Sequence, residues 1–434
     1  MIVDINNEEP PPDPLGANNK TILLVNTGFP SKEFILKRIK ELGVNIIVLH
    51  KQINWAEPYI SHWIFTDVSN HDQALHDLSD FLTLHPAVKI DGVITFCESY
   101  NNEPLLVAKI ADKYGLKGLK SVVVENFKNK FLFRKFCEKY DVHAPKCVLI
   151  DSAKDLHTAL TTLTFPVVVK PTHGSSSAFV IKADNKDDLI EKYEAIRLKV
   201  PANKQYVTKD AKIIVEEYIS GSEVDIDILI QNGEVKFYSI SDNLETCEPY
   251  FIETGFNIPS RLPVDEQDDL YAMAVKVLKE FSVTDGCIHF EAKSTKEGAV
   301  PIEVNLRMGG DEVRDFVLGA WGIDLIEQAI KIALGEDVKV IKSSQAKQCF
   351  AGFDLMSDHS GVVKRLHVDE RIHQKSYLQK LEFFKKEGDT LLVPPDGYEY
   401  LGFVTVSGDT EYEAKQNLQE ALGLINYEIS KIHS

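Results

Sequence analysis

Lys170 closes the apolar run Pro166-Val-Val-Val-Lys170 and stands just before a loop of small residues, Thr172-His-Gly-Ser-Ser-Ser177. A lysine at the end of a buried strand holds a positive charge in one place. Gly174, Ser175, Ser176 and Ser177 can then fold over an anion and offer backbone N–H and hydroxyl donors, an arrangement suited to phosphate oxygens. Taken alone, the commoner reading is a surface lysine that lays its methylenes on the protein and keeps its ammonium in water. Lys130 and Arg134 are four apart on a helical stretch and share a face. They repel each other unless an anion sits between them; the plainer alternative is a solvated basic face.

Two further groups are acidic. In Val215-Glu216-Glu217-Tyr218-Ile219, followed by Glu223, a strand runs into a turn. Backbone groups there can meet the edge of a purine, and a nearby carboxylate can accept sugar hydroxyls; an edge strand with solvated acids is the ordinary alternative. Glu291 alternates onto the same side as Cys287 and His289, while Glu303 and Asn305 are i and i+2 on the next strand and share one face. Two carboxylates and an amide oxygen make the all-oxygen set a hard divalent cation prefers, and without one they repel. Arg307 continues that face, where it can hold developing negative charge. Gly309 and Gly310 then allow a close approach before a helix.

The elements that must carry these residues follow from periodicity. Thr21–Asn26, Val44–Leu49 and Asp91–Phe96 are short apolar runs separated by helical patterns, the rhythm of a parallel α/β sheet. A helix capped by Asn126 is expected to run to about Tyr140, followed by an antiparallel hairpin around the small-residue loop. In Ser222–Ile230, Val224, Ile226, Ile228 and Ile230 take one face and Glu223, Asp225 and Asp227 the other. Asn232-Gly233 is a hairpin turn. From about Ser343 a smaller mixed segment is expected to close the chain, with a strand at Tyr400–Val406 and a helix from Glu411 to about Leu424.

Bulk properties narrow the function classes. With 434 residues, about 100–200 per domain allows two to four packed units. The net charge of −18 argues against a broad nucleic-acid surface, though not against a nucleotide met by a few local lysines. The six cysteines form no C-x-x-C pair and read as free thiols of a reducing compartment. The first twenty residues are acidic and Pro-rich without an apolar segment, so a secretory signal is not expected. No apolar run is long enough to span a bilayer, so no membrane association and a cytoplasmic location are expected.

The order of the chemical elements resembles the ATP-grasp superfamily over about residues 21–335. The run Ile302-Glu-Val-Asn-Leu-Arg-Met-Gly-Gly310 and the final segment are similar to its L-amino-acid ligase (dipeptide-forming), carnosine-synthase-like branch. The resemblance implies a mixed α/β, α+β ATP-grasp fold. Its parts would be a flexible tail (1–20), an N-terminal parallel α/β domain (21–125), a central lid subdomain with an antiparallel sheet (126–205), a catalytic antiparallel subdomain (206–342) and a small α+β extension (343–434). It assigns Lys130 and Lys170 to the phosphates of ATP, with Gly174, Ser175, Ser176 and Ser177 as the lid. Glu216, Glu217, Tyr218 and Ile219 would meet adenine, and Glu223 the ribose. Glu291, Glu303 and Asn305 would hold Mg²⁺, with Mn²⁺ able to substitute. Arg307 and Lys170 would be catalytic, and Glu253, Gly255, Arg307, Gly309 and Gly310 would frame the substrates. The implied reaction joins a carboxylate to an amine, forming an amide such as a dipeptide through an acyl phosphate, with ADP and phosphate released and the chain acting as a homodimer. Rival readings are a purine-pathway or carboxylase-like ATP-grasp ligase and a non-catalytic nucleotide-binding protein. Two departures stand out: the lid holds little glycine, and Asp311 and Glu312 follow the double glycine. Those acids suit an amine-bearing substrate or a helix N-terminus.

Overall fold

The computed structural model describes residues 20–97, 102–203, 206–208, 211–310 and 312–431. Apart from Lys20, the expected N-terminal tail lies outside the described residues, as does Asp311. Strands β1 (Thr21–Val25), β2 (Asn45–His50), β3 (His62–Phe65) and β4 (Gly92–Ile94) form a parallel sheet in the order β3-β2-β1-β4. Their near-continuous apolar runs are those of strands covered on both faces. Helices α1 (Glu33–Glu41), α2 (His71–Leu84) and α3 (Glu103–Tyr114) supply the cover.

The single helix expected from Asn126 to Tyr140 is in fact two, α4 (Ser121–Lys128) and α5 (Lys130–Lys139). Asn126 lies inside α4. The cap is Asn129, whose side-chain oxygen accepts from the backbone N–H of Phe131 (3.0 Å) and Leu132 (3.2 Å). A residue with extended backbone at that point ends one helix and starts the next. Lys130 therefore opens a helix, and its own N–H donates to the carbonyl of Thr172 (2.9 Å) at the start of the small-residue loop.

A second sheet contains β5 (Cys147–Ile150), β6 (Val167–Pro171), β7 (Ile181–Ala183) and β8 (Ile213–Glu217), antiparallel in the order β5-β8-β6-β7. β8 is thus an internal strand rather than an edge.

The largest sheet has eight strands. β9 (Ser222–Gln231) and β10 (Glu234–Asn243) make a hairpin across Asn232 and Gly233, both at positive φ (52° and 78°), as a tight two-residue turn requires. β11 (Gly255–Ile258), β12 (Gly286–Thr295), β13 (Gly298–Asn305) and β14 (Cys349–Leu355) follow in sequence. The order is β13-β12-β9-β10-β11-β14, continued by strands Gly402–Gly408 and Leu378–Phe383. The C-terminal segment therefore extends this sheet, and it also forms a three-stranded antiparallel sheet of its own from Thr390–Leu391, Gly361–Val368 and Ile425–Lys431. Two glycines permit the junction: a Cβ on Gly255 would lie 2.3 Å from the carbonyl oxygen of Gly352, and one on Gly352 would lie 2.1 Å from the Phe256 ring.

On β9 the aliphatic face packs into a core with Ile288, Phe290 and the helix Val264–Glu280. The acidic face of the same strand is left to the site. The six cysteines are all free thiols. Among the described residues no helix is long and apolar enough to cross a membrane.

Phe290 is fully buried between the site residues His289 and Glu291. Phe290→Ala should lower stability by about 3–5 kcal/mol, read as a lower denaturant midpoint.

Candidate active site

One cavity of about 530 Å³ lies between the second sheet, the eight-stranded sheet and the N-terminal unit. Lys130, Lys170, Gly174, Ser175, Ser176, Ser177, Glu216, Glu217, Tyr218, Ile219, Glu223, Glu253, Glu291, Glu303, Asn305, Arg307 and Gly310 all line it.

The two cations of α5 point to one face, and protein carboxylates sit against both. Arg134 is buried, donating from Nε to Glu216 Oε2 (2.9 Å), from Nη2 to Glu216 Oε1 (3.3 Å) and to the carbonyl of Ile302 on β13 (3.0 Å). Lys170 contacts the same carboxylate from β6. Lys130 Nζ is 2.8 Å from Glu303 Oε2. The solvated basic face is therefore excluded, and Arg134 serves as a structural cation. Burial alone would raise the Glu216 carboxyl, but Arg134 and Lys170 outweigh it and hold the group at about 2. Burial lowers the Lys170 ammonium, with Glu216 opposing.

This overturns the alternative of a solvated edge strand at β8. The Glu216 side chain is a counter-ion, and the strand is neither an edge nor solvated. Pairing runs along both sides of it as far as Glu217, and the N–H of Tyr218 donates to Pro166 O (3.0 Å). Glu217 accepts from the backbone N–H of Thr164 (3.1 Å). Beyond the ladder, Tyr218 and Ile219 continue the cavity wall that Glu216 and Glu217 begin. Glu223 is bound by Lys293 (3.2 Å), which also lines the cavity.

On β12 and β13, Glu291 and Glu303 are cross-strand partners, and Asn305 Nδ2 donates to Glu291 Oε1 (3.0 Å). Asp225 on β9 faces Glu291 from the other side. Burial first, and then Glu303, push the Glu291 carboxyl up to about 8. Burial also favours a protonated Glu303, but Lys130 overrides it and keeps that group below its ordinary value. The donor set fits a hard divalent cation, because positive charge between Glu291 and Glu303 would relieve the repulsion that holds Glu291 high. Among the described residues no three His, Cys, Asp or Glu side chains form a metal site by themselves, so phosphate oxygens or water would complete the shell.

Two expected substrate residues do not reach the wall. Gly255 serves the close backbone approach to Gly352. A Cβ on Gly309 would lie 2.8 Å from His289 Nδ1, so that glycine makes room for a histidine. Glu253 lines the cavity and is exposed.

Sequence reasoning passed over Asp225, His289 and Lys293 as site residues. His289 Nδ1 is 2.9 Å from Asp227 Oδ1 and its Nε2 is 3.9 Å from Asp225 Oδ1. Burial would lower that imidazole, but the two aspartates overcome it and raise it to about 10. The signal was available: His289 and Lys293 are two residues either side of Glu291, and strand alternation puts all three on one face. Tyr400 also lines the cavity, from the C-terminal segment, and no local pattern marks it.

A family model described as an ATP-grasp domain matches residues 163–315, and one described as L-amino acid ligase C-terminal domain 2 matches residues 355–430. The chain thus carries an ATP-grasp domain over residues 163–315. The first match runs from the foot of β6 past the double glycine, and so spans most of the charged wall just described. Human carnosine synthase 1 is 25% identical over 332 residues, 73% of this chain and 40% of that protein. The L-arginine-specific L-amino acid ligase of Bacillus subtilis is 21% identical over 384 residues, 85% of this chain and 88% of that one. The chain spans about two fifths of the length of the carnosine synthases it matches. Among solved structures, an L-amino acid ligase from Bacillus licheniformis superposes with a TM-score of 0.79 at 20% identity, covering 96% of this chain and 100% of that one. Phosphoribosylglycinamide synthetase from Anaerococcus prevotii gives 0.71 at 19% identity, covering 95% and 100%. These structural likenesses establish the ATP-grasp fold expected from the sequence.

Glu216→Gln tests the central ion cluster. It leaves Arg134 and Lys170 without their counter-charge and should cost about 3–5 kcal/mol at neutral pH. The native carboxyl sits near 2 against an ordinary 4.5, so its contribution is complete above about pH 4.5 and lost as pH falls toward 2. Denaturant unfolding should show the gap between wild type and variant shrinking over that window.

Proposed function

We propose that the chain is an ATP-dependent carboxylate–amine ligase that joins two amino acids through an acyl phosphate. The observation that carries this reading is the single cavity in which Lys130 and Lys170 face the Glu291–Glu303–Asn305 set. Cations for a triphosphate and oxygen donors for its counter-ion meet there under one small-residue loop. Lys170 and Lys130 hold phosphate oxygens, Tyr218 and Ile219 flank the base, and Glu223 meets the ribose. Glu291, Glu303 and Asn305 hold Mg²⁺ or Mn²⁺, which when bound neutralises charge on the phosphates.

The substrate carboxylate is held beside Arg307 and attacks the γ-phosphorus. A carboxylate O–P bond forms, the bond to the β-phosphate oxygen breaks, and ADP leaves. The amine of the second substrate then attacks the acyl carbon, the C–O bond to phosphate breaks, and the ammonium proton is lost. Positioning and charge stabilisation are the protein's contribution to such a transfer. An acyl phosphate hydrolyses in water, so the loop Gly174–Ser177 acts as the lid. The fold is shared with a purine-pathway synthetase. The match to an L-amino acid ligase C-terminal domain favours amino-acid substrates over that alternative.

A hydroxylamine trap with ATP, Mg²⁺ and candidate amino acids tests the reading. Acid-dependent hydroxamate is expected; nucleotide binding without hydroxamate or phosphate release would overturn it. Screening amino acids pairwise for phosphate release then names the substrates. Arg307→Ala should reduce kcat by about 10²–10³-fold, measured as ADP formation with the trapped acid.

A further inference from the structure

The loop over the cavity is anchored from two directions. Ser176, Ser177 and Phe179 have φ of 55°, 50° and 61°. Side chains rarely adopt that left-handed region, so the conformation persists only where surrounding contacts determine it. At the near end, Ser175 N–H donates to the carbonyl of Tyr206 (3.1 Å). At the far end, Phe179 N–H donates to the phenol oxygen of Tyr398 (2.8 Å), a buried bond spanning 219 residues of sequence. The Tyr398 ring meets Phe179 and Tyr206 edge-on, each with centroids 5.5 Å apart. It is 9% exposed and sits in the apolar core of the second sheet. Tyr398 lies within the span matched by the L-amino acid ligase C-terminal domain. Two residues on, Tyr400 reaches the cavity wall.

We propose that Tyr398 is a positioning residue through which the C-terminal domain holds the phosphate loop in its closed geometry and keeps water from the acyl phosphate. The inference rests on the ligase reading for its chemical consequence and on geometry alone for the brace. The phenol accepts from the Phe179 N–H at the far end of the loop, and its ring meets Tyr206, whose carbonyl accepts from Ser175 at the near end. The C-terminal domain thereby joins the reaction without touching the reacting atoms. Burial pushes the Tyr398 phenol up to about 12, so the hydroxyl stays neutral through the working range.

Tyr398→Phe keeps the ring and removes the hydroxyl. Hydrogen exchange should show the Phe179 amide protected in the wild-type chain and exchanging about tenfold faster in the variant. Turnover of the variant should release more phosphate than amide, about twofold or more, where the wild type stays near one to one. A fast wild-type amide, or equal exchange in both chains, overturns the brace. Faster exchange with the phosphate-to-amide ratio still at one overturns its part in excluding water. If the wild type releases no acid-dependent phosphate, the ligase reading fails, while the exchange comparison still decides the brace. The wild-type protection needs no variant, so a variant that does not fold leaves the inference open to refutation.

Discussion

One buried carboxylate holds three parts of the site in register. Glu216 on β8 accepts from Arg134 on α5 and contacts Lys170 on β6. Arg134 reaches further, to the Ile302 carbonyl on β13, and so ties the second sheet to the eight-stranded one. Neither cation is tolerable in that environment without the anion, and the anion is tolerable only with both. The ammonium of Lys170 is consequently presented to the cavity at one fixed point. A lysine on a solvated strand end would have no such constraint.

A second cluster works in the opposite sense. Asp225, Glu291 and Glu303 stand side by side across β9, β12 and β13, so strand pairing forces like charges together. Lys130 and His289 relieve part of that repulsion, and the rest is carried by Glu291. A core optimised for stability would not keep such a row. Its position opposite Lys170, within one cavity, is what makes a nucleotide and a divalent cation the natural occupants. The strands are rigid enough to sustain it because their other faces pack into a continuous apolar layer around Phe290 and Ile288.

The C-terminal segment is built into this arrangement. β14 continues the eight-stranded sheet at a glycine-to-glycine contact, and Tyr398 and Tyr400 return from it to the loop and the cavity. Two sheets carrying opposite walls of the site are thus joined at one side by Arg134 and at the other by a phenol.

The sequence by itself determined the parallel N-terminal sheet, the antiparallel hairpins and most of the cavity lining. Those features depend on short-range rules: alternation puts Glu303, Asn305, Glu223 and Asp225 on defined faces, and Asn232-Gly233 closes a hairpin. Family resemblance added the order in which the charged elements recur. Only the tertiary structure decided what each charge meets. Glu216 became a counter-ion because Arg134 reaches from α5 to β8, a contact between residues 82 positions apart. Gly255 and Gly309 are held to glycine by backbone and histidine neighbours, at Gly352 and His289, that come from distant strands. His289 and Lys293 lay on the right face all along, but alternation fixes a side chain's direction and leaves open what stands opposite. For the same reason nothing local marks Tyr398, whose partner amide lies on the far side of the chain's connectivity.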